Sequence, residues 1–128
     1  MRSITKYQTR VSPYVNIDYT FGTVDLRGDS IQENPIDFYK PIINEICNFK
    51  FSESASITVN CTFRHFNTTS SRCIFQMMKA LSTIDFKDKE VKVNWYFDFY
   101  DEDMKEIGED YEELTGLNFN YYALPSLN

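Results

Sequence analysis

The sequence predicts an α/β fold: a single mixed β-sheet flanked by helices, in the order β-β-α-β-α-β-α-β. Three observations lead there. Apolar residues at period two alternate along the chain with apolar residues at helical spacing. Strands separated by helical segments pair in parallel through right-handed crossovers, while a tight turn joins the first two strands. The 128 residues, 42% hydrophobic with eleven Phe, nine Tyr and one Trp, suffice for one core, so residues 1–128 read as one domain.

The elements follow in order. Val15, Ile17 and Tyr19 alternate over residues 14–19, the pattern of a half-buried strand. Phe21-Gly22 marks a turn, residues 23–27 return as the second strand, and Gly28-Asp29-Ser30 ends it. Asn34 suits a helix N-cap and Pro35 the first helical position. Phe38, Tyr39, Ile42, Ile43, Ile46 and Cys47 then recur at helical spacing, with Pro41 expected to kink or split the helix. Residues 56–63 form a β-branched strand with Ile57, Val59, Cys61 and Phe63 on one side. After a polar junction at 64–69, a helix over 70–81 turns Ile74, Met77, Met78 and Leu81 inward. Residues 91–97 are a buried strand containing Trp95, Tyr96 and Phe97. A third helix, 101–115, faces Met104, Ile107, Tyr111 and Leu114 inward, with acids favouring its positive end and Gly116 as its cap. Residues 117–124 make a last, edge-like strand before Pro125.

Charge narrows the partners. The net charge of −6 lies in the second half, and residues 98–113 hold nine acids and one base, Lys105. An acidic surface argues against nucleic acid and against anionic membranes. The N-terminal stretch lacks the apolar segment of a secretory signal, and no apolar run approaches the ~20 residues of a membrane span. The reading is a cytoplasmic protein without membrane insertion. Cys47, Cys61 and Cys73 show no metal-type spacing and read as reduced, mostly buried thiols. Two sequons, at Asn60 and Asn67, are read as coincidental. No cofactor and no metal site is expected. Asp101-Glu102-Asp103 lacks the glycine and distal glutamate of a calcium loop.

The informative stretch is Arg64-His65-Phe66-Asn67-Thr68-Thr69-Ser70-Ser71-Arg72, where a strand hands over to a helix. Ligands favour the carboxyl ends of strands in open α/β sheets. Its four consecutive hydroxyls suit capping of the open N–H groups at the helix start. They also suit a phosphoacceptor. A phosphate adds roughly −1.5 to −2 charge, and a helix N-terminus tolerates an anion. If Thr68 stands on the first turn, Arg72 comes within reach of its phosphate.

Phe66-Asn67-Thr68-Thr69-Ser70-Ser71-Arg72 resembles the F-N-T-S-S-x-K block of the SiaC family of bacterial regulatory phosphoproteins. Gly28-Asp29-Ser30-Ile31-Gln32-Glu33-Asn34 is similar to that family's G-x-S-x-P-E-N segment, and Phe38-Tyr39-Lys40-Pro41-Ile42 to its F-Y-x-P-I run. The stretch from Val93-Asn94-Trp95-Tyr96 to Gly108-Glu109 resembles its W-Y…D-E-D-M-x-E-x-G-E block. The resemblance implies a fold related to the STAS domains of anti-anti-sigma factors. It also implies a partner switch. On that resemblance a serine/threonine kinase would phosphorylate Thr68, a PP2C-type phosphatase would remove the phosphate, and the unmodified form would bind and activate a diguanylate cyclase. Asn67, Ser70, Ser71 and Arg72 surround the acceptor, and Glu33, Asn34 and Phe66 are candidate partner contacts. Three residues depart from the blocks: Gln32 stands for proline, Thr69 for serine and Arg72 for lysine. Thr69 is thereby a second candidate acceptor, and Arg72 keeps the charge with a different donor geometry.

Two other classes remain. One is a protein-binding adaptor that is never phosphorylated. The other is a small hydrolase using His65, the single histidine, beside the hydroxyls. Against catalysis, the chain carries neither a G-x-S-x-G elbow nor a phosphate-binding glycine loop.

Overall fold

A short strand precedes everything the sequence announces. In the computed structural model, which describes residues 3–48, 56–87 and 89–125, β1 (Ser3–Lys6) pairs antiparallel with β2 (Tyr14–Asp18). Four residues with one apolar member, Ile4, show no period, so sequence patterning passes over them. β2 pairs antiparallel with β3 (Thr23–Ser30) across a turn in which Gly22 takes φ 69°. Then come α1 (Pro35–Asn48), β4 (Ser56–Phe66), α2 (Thr68–Lys87), β5 (Glu90–Asp98), α3 (Glu102–Thr115) and β6 (Asn118–Leu124). The six strands lie in chain order, β1-β2-β3-β4-β5-β6, antiparallel up to β3 and parallel from β3 to β6. The sheet is mixed, as expected, with one strand more.

The three helices pack side by side on one sheet face. Val15, Ile17, Val24, Leu26, Ile57, Val59, Val91 and Val93 are buried beneath them, with Tyr39, Ile42, Ile46, Ile74, Met77, Met78 and Leu81 from the helices. The opposite face carries a polar row. Asn16 Nδ2 donates to Thr5 Oγ1 (2.8 Å), Asn60 Nδ2 to Asp25 Oδ1 (2.8 Å), Asn94 Nδ2 to Asn60 Oδ1 (2.9 Å) and Asn120 Nδ2 to Asn94 Oδ1 (3.4 Å).

Several expectations change. α1 is not split at Pro41. The ring removes one helical bond, but Tyr39, Ile42 and Ile46 are buried and hold both halves on the core. Leu114 is 68% exposed rather than inward. The inward stripe of α3 runs Met104, Gly108, Tyr111, and at 3.6 residues per turn Leu114 lies well off that line. Of the cysteines only Cys61 is buried; Cys73 is intermediate and Cys47 exposed, the latter one step around the helix from Ile46. Gly108 lets α3 close on Trp95, whose indole Nε1 donates to the Met104 carbonyl (2.9 Å). At α3 the Gly116 cap is as the sequence predicts, whereas Asp101 stands just before the helix as its N-cap rather than inside it. Asp101 accepts from the Met104 N–H (3.0 Å), and Gly116 at φ 76° donates to the Glu112 carbonyl (2.8 Å).

Candidate functional site

The strand-to-helix junction is a single residue, Asn67, not the polar loop expected over 64–69. β4 continues to Phe66, opposite Ser30, and α2 begins at Thr68. Strand and helix are both longer because the turn is pinned to the end of β3. β3 likewise runs past Gly28 to Ser30, with an irregularity at Gly28 (φ 118°). The Asn67 N–H donates to the Ser30 carbonyl (3.1 Å) and Asn67 Nδ2 to the Gln32 carbonyl (3.1 Å). Its Oδ1 accepts from the Ser70 N–H (2.8 Å), and its carbonyl from the Ser71 N–H (3.0 Å).

Asn67 is therefore the N-cap, and the capping duty assigned to the four hydroxyls is not theirs. An asparagine three residues before a serine was the available signal. Replacement by alanine removes the cap and the strap to Gln32. Asn67→Ala is expected to cost about 1–2 kcal/mol in urea unfolding and to speed hydrogen exchange at Ser70.

The hydroxyls then separate by environment. Ser70 is fully buried, with its Oγ 2.9 Å from Ser30 Oγ. Ser71 Oγ donates to the Thr68 carbonyl (2.8 Å), and the Ser71 carbonyl accepts from Tyr111 OH (2.7 Å). Thr69 is half-buried. Thr68, at the first helical position, is exposed. Arg72 is exposed four residues on, in the same helix, the spacing at which side chains meet on one face.

Beneath the turn lies a buried polar cluster. Tyr39 OH donates to Ser30 Oγ (2.7 Å), and Ser30 Oγ also lies 3.0 Å from Gln32 Oε1. Burial pushes the Tyr39 and Tyr111 phenols well above their usual range, so both remain neutral donors. Sequence patterning does not mark Ser30, Tyr39 and Tyr111 as site residues; nothing in a linear pattern connects them to residues 68–71.

Beside the turn, Arg64 grips Asp29 with two bonds, Nε to Oδ1 (3.1 Å) and Nη2 to Oδ2 (2.6 Å). The Arg64 hydrogen bonds and charge hold the Asp29 carboxyl below the ordinary carboxylate range. A lowered folded-state pKa stabilises above the unfolded value, near 3.9, and that contribution is lost as pH falls through the folded value. Urea midpoints are therefore expected to drop between pH 5 and 2.5 in the wild type, and less steeply in Asp29→Asn.

The remaining candidates fall as follows. Glu33 and Asn34 are exposed at the start of α1, where Asn34 Oδ1 accepts from the Asp37 N–H (3.4 Å). Phe66 is half-buried, its ring 5.4 Å from that of Phe63. His65 is exposed, and among the described residues no hydrogen bond joins it to the hydroxyls. The amides of Asn60 and Asn67 are both engaged in hydrogen bonds. Among the described residues no group of three or more His, Cys, Asp or Glu is placed to hold a metal ion. No described helix is long and apolar enough to cross a membrane.

The family model for SiaC family regulatory phosphoproteins matches residues 6–124. An uncharacterized protein of Pseudomonas aeruginosa strain UCBPP-PA14 is 21% identical over 115 residues, covering 90% of this chain and 91% of the relative. Apo-SiaC from Pseudomonas aeruginosa has a similar fold, with TM-score 0.83 at 19% identity over 96% of this chain and all of the other. A chain in the crystal structure of the diguanylate cyclase SiaD in complex with its activator SiaC, from the same species, superposes with TM-score 0.84 at 20% identity, over 94% of this chain and 99% of that one.

Proposed function

This chain belongs to the SiaC family of regulatory phosphoproteins, and from that premise we propose that residues 1–128 act as one non-catalytic, cytoplasmic partner switch set by phosphorylation of Thr68. The observation that carries the reading is the sorting of the four hydroxyls. Ser70 is sealed, Ser71 is spent on a backbone carbonyl, Thr69 is half-covered, and Thr68 faces solvent on the first turn. A kinase needs an accessible hydroxyl, and the anion it creates would sit at the positive end of a 20-residue helix.

In this reading a serine/threonine kinase adds the phosphate and a PP2C-type phosphatase removes it. The unmodified form binds and activates a diguanylate cyclase, as the similar SiaC chain is an activator of SiaD. The surroundings of Thr68 support docking there. Ile31, Ile36, Phe99 and Tyr100 are exposed, and each follows the carboxyl end of β3 or β5, the end of the sheet from which Thr68 also emerges. Large apolar side chains gathered at one end of a sheet suit a protein partner.

Co-expression with the cognate kinase, followed by intact-mass analysis and peptide mapping, is expected to give one added phosphate on Thr68. Thr68→Ala should abolish it. Addition at Thr69 would move the site, and no addition would leave an unmodified adaptor. Separately, the unmodified chain should raise cyclic di-GMP synthesis by its cyclase. Absence of binding to the cyclase defeats the activator role.

A further inference from the structure

Among the described residues, one buried side-chain polar atom has no hydrogen-bond partner: the amide nitrogen of Gln32. Gln32 is 9% exposed, between the exposed neighbours Ile31 and Glu33. Its position relative to α2 is fixed from two sides. The Gln32 carbonyl accepts from Asn67 Nδ2, and its Oε1 sits on Ser30 Oγ, which in turn touches Ser70 Oγ in the first turn of the helix. The orphaned donor is therefore set against the N-terminal turn of α2. Asn67 serves the Ser70 N–H there, and a helix start leaves its first N–H groups without intrahelical acceptors.

A sealed, unserved donor carries a desolvation penalty. Such a group in a native fold calls for a ligand or a second state that completes it. The missing partner must be an acceptor, and the neighbouring helix end favours a negative one. A phosphoryl oxygen meets both requirements. The block that this stretch resembles has proline at this position, which offers no side-chain donor, so the feature belongs to this chain's own sequence.

We infer that Gln32 is part of a phosphoryl-binding site at the N-terminal turn of α2, its Nε2 donating to a phosphoryl oxygen. The phosphoryl group has two sources, phosphothreonine 68 or a free phosphate. The first rests on the Thr68 reading given above, and the second does not.

The test uses the full chain in two arms. In one, phosphothreonine is incorporated at position 68 during translation, so no kinase is needed. The 31P signal is titrated with pH in the wild type, Gln32→Leu and Gln32→Glu. A donor to the dianion lowers the second phosphate pKa from its usual value near 6. Gln32→Leu should raise it by about one unit, a tenfold change in proton affinity, and Gln32→Glu by more. In the other arm, inorganic phosphate is titrated into the unmodified, 15N-labelled chain. A saturable shift of the Gln32 side-chain amide signals, weakened at least about tenfold in Arg72-intact Gln32→Glu as read at the Thr69 N–H, assigns the site to free phosphate. Superimposable 31P titrations in all three proteins, together with unmoved Gln32 amide signals, overturn the inference. Leucine removes the unserved donor together with the Oε1 acceptor of Ser30 Oγ, and circular dichroism melts of each variant check that the fold is kept. Should the kinase experiment fail to modify Thr68, both arms still report on Gln32.

Discussion

Trp95→Ala is expected to lower stability by about 3–5 kcal/mol, the cost of deleting a large aromatic from a packed core. Trp95 is 1% exposed, and its ring meets Phe63, Phe119 and, edge-on, Tyr111 at centroid distances of 6.0, 6.1 and 5.7 Å. Its indole also holds the Met104 carbonyl. With total stabilities of about 5–15 kcal/mol, the loss brings a domain of this size close to unfolding. Urea unfolding followed by circular dichroism measures it, since the mutation removes the one tryptophan.

Gly108 supplies a sharper check of the same contact. A Cβ there would stand 2.7 Å from Trp95 Cδ1 and Nε1, so Gly108→Ala alone should destabilise by about 1–3 kcal/mol through overpacking. In the Trp95→Ala background that clash is gone. The same substitution should then stabilise by up to about 1 kcal/mol, the helix preference for alanine over glycine. An unchanged sign across the two backgrounds would refute the packing account. The effect reaches the candidate site through Tyr111, which packs on Trp95 and holds the Ser71 carbonyl.

The second large expected effect is on binding. Phosphate on Thr68 should weaken association with the cyclase at least about a hundredfold, or 2.7 kcal/mol. Two like unit charges 4 Å apart repel by about 4 kcal/mol at an effective dielectric near 20. Pressing a dianion against an apolar partner adds desolvation. Either suffices with α2 unmoved, because Asn67, Ser70 and Ser71 are tied down independently of the Thr68 side chain. Calorimetry with unmodified, phosphorylated and Thr68→Ala chains measures it. Thr68→Ala should bind like the unmodified chain, and equal affinities for all three would sink the blocking mechanism.

Much of this molecule is readable from its residues. Asn34-Pro35 marked the start of α1, Gly116 the end of α3, and period two marked β2 and residues 56–63 of β4. These are local signals, each set within one turn or one strand. What escaped depends on contacts distant in sequence. β4 runs on to Phe66 and α2 starts at Thr68 because residues 30–32 hold Asn67 from 35 positions away. Leu114 counts as apolar in any pattern, yet the close approach of Gly108 to Trp95 sets which face of α3 turns inward. The motif resemblance drew attention to residues 67–72, but the supporting side chains Ser30, Tyr39 and Tyr111 became visible only in three dimensions.

Parallel neighbours such as β4 and β5 are joined by a helix, so no hairpin turn dictates how they align. The asparagines across the uncovered side supply that information. Sliding β5 by one residue would carry Asn94 to the oily side and separate it from Asn60 and Asn120 together. The row thus acts like the teeth of a zip, admitting one alignment of strands and leaving that surface too wet for another layer of helices to settle upon.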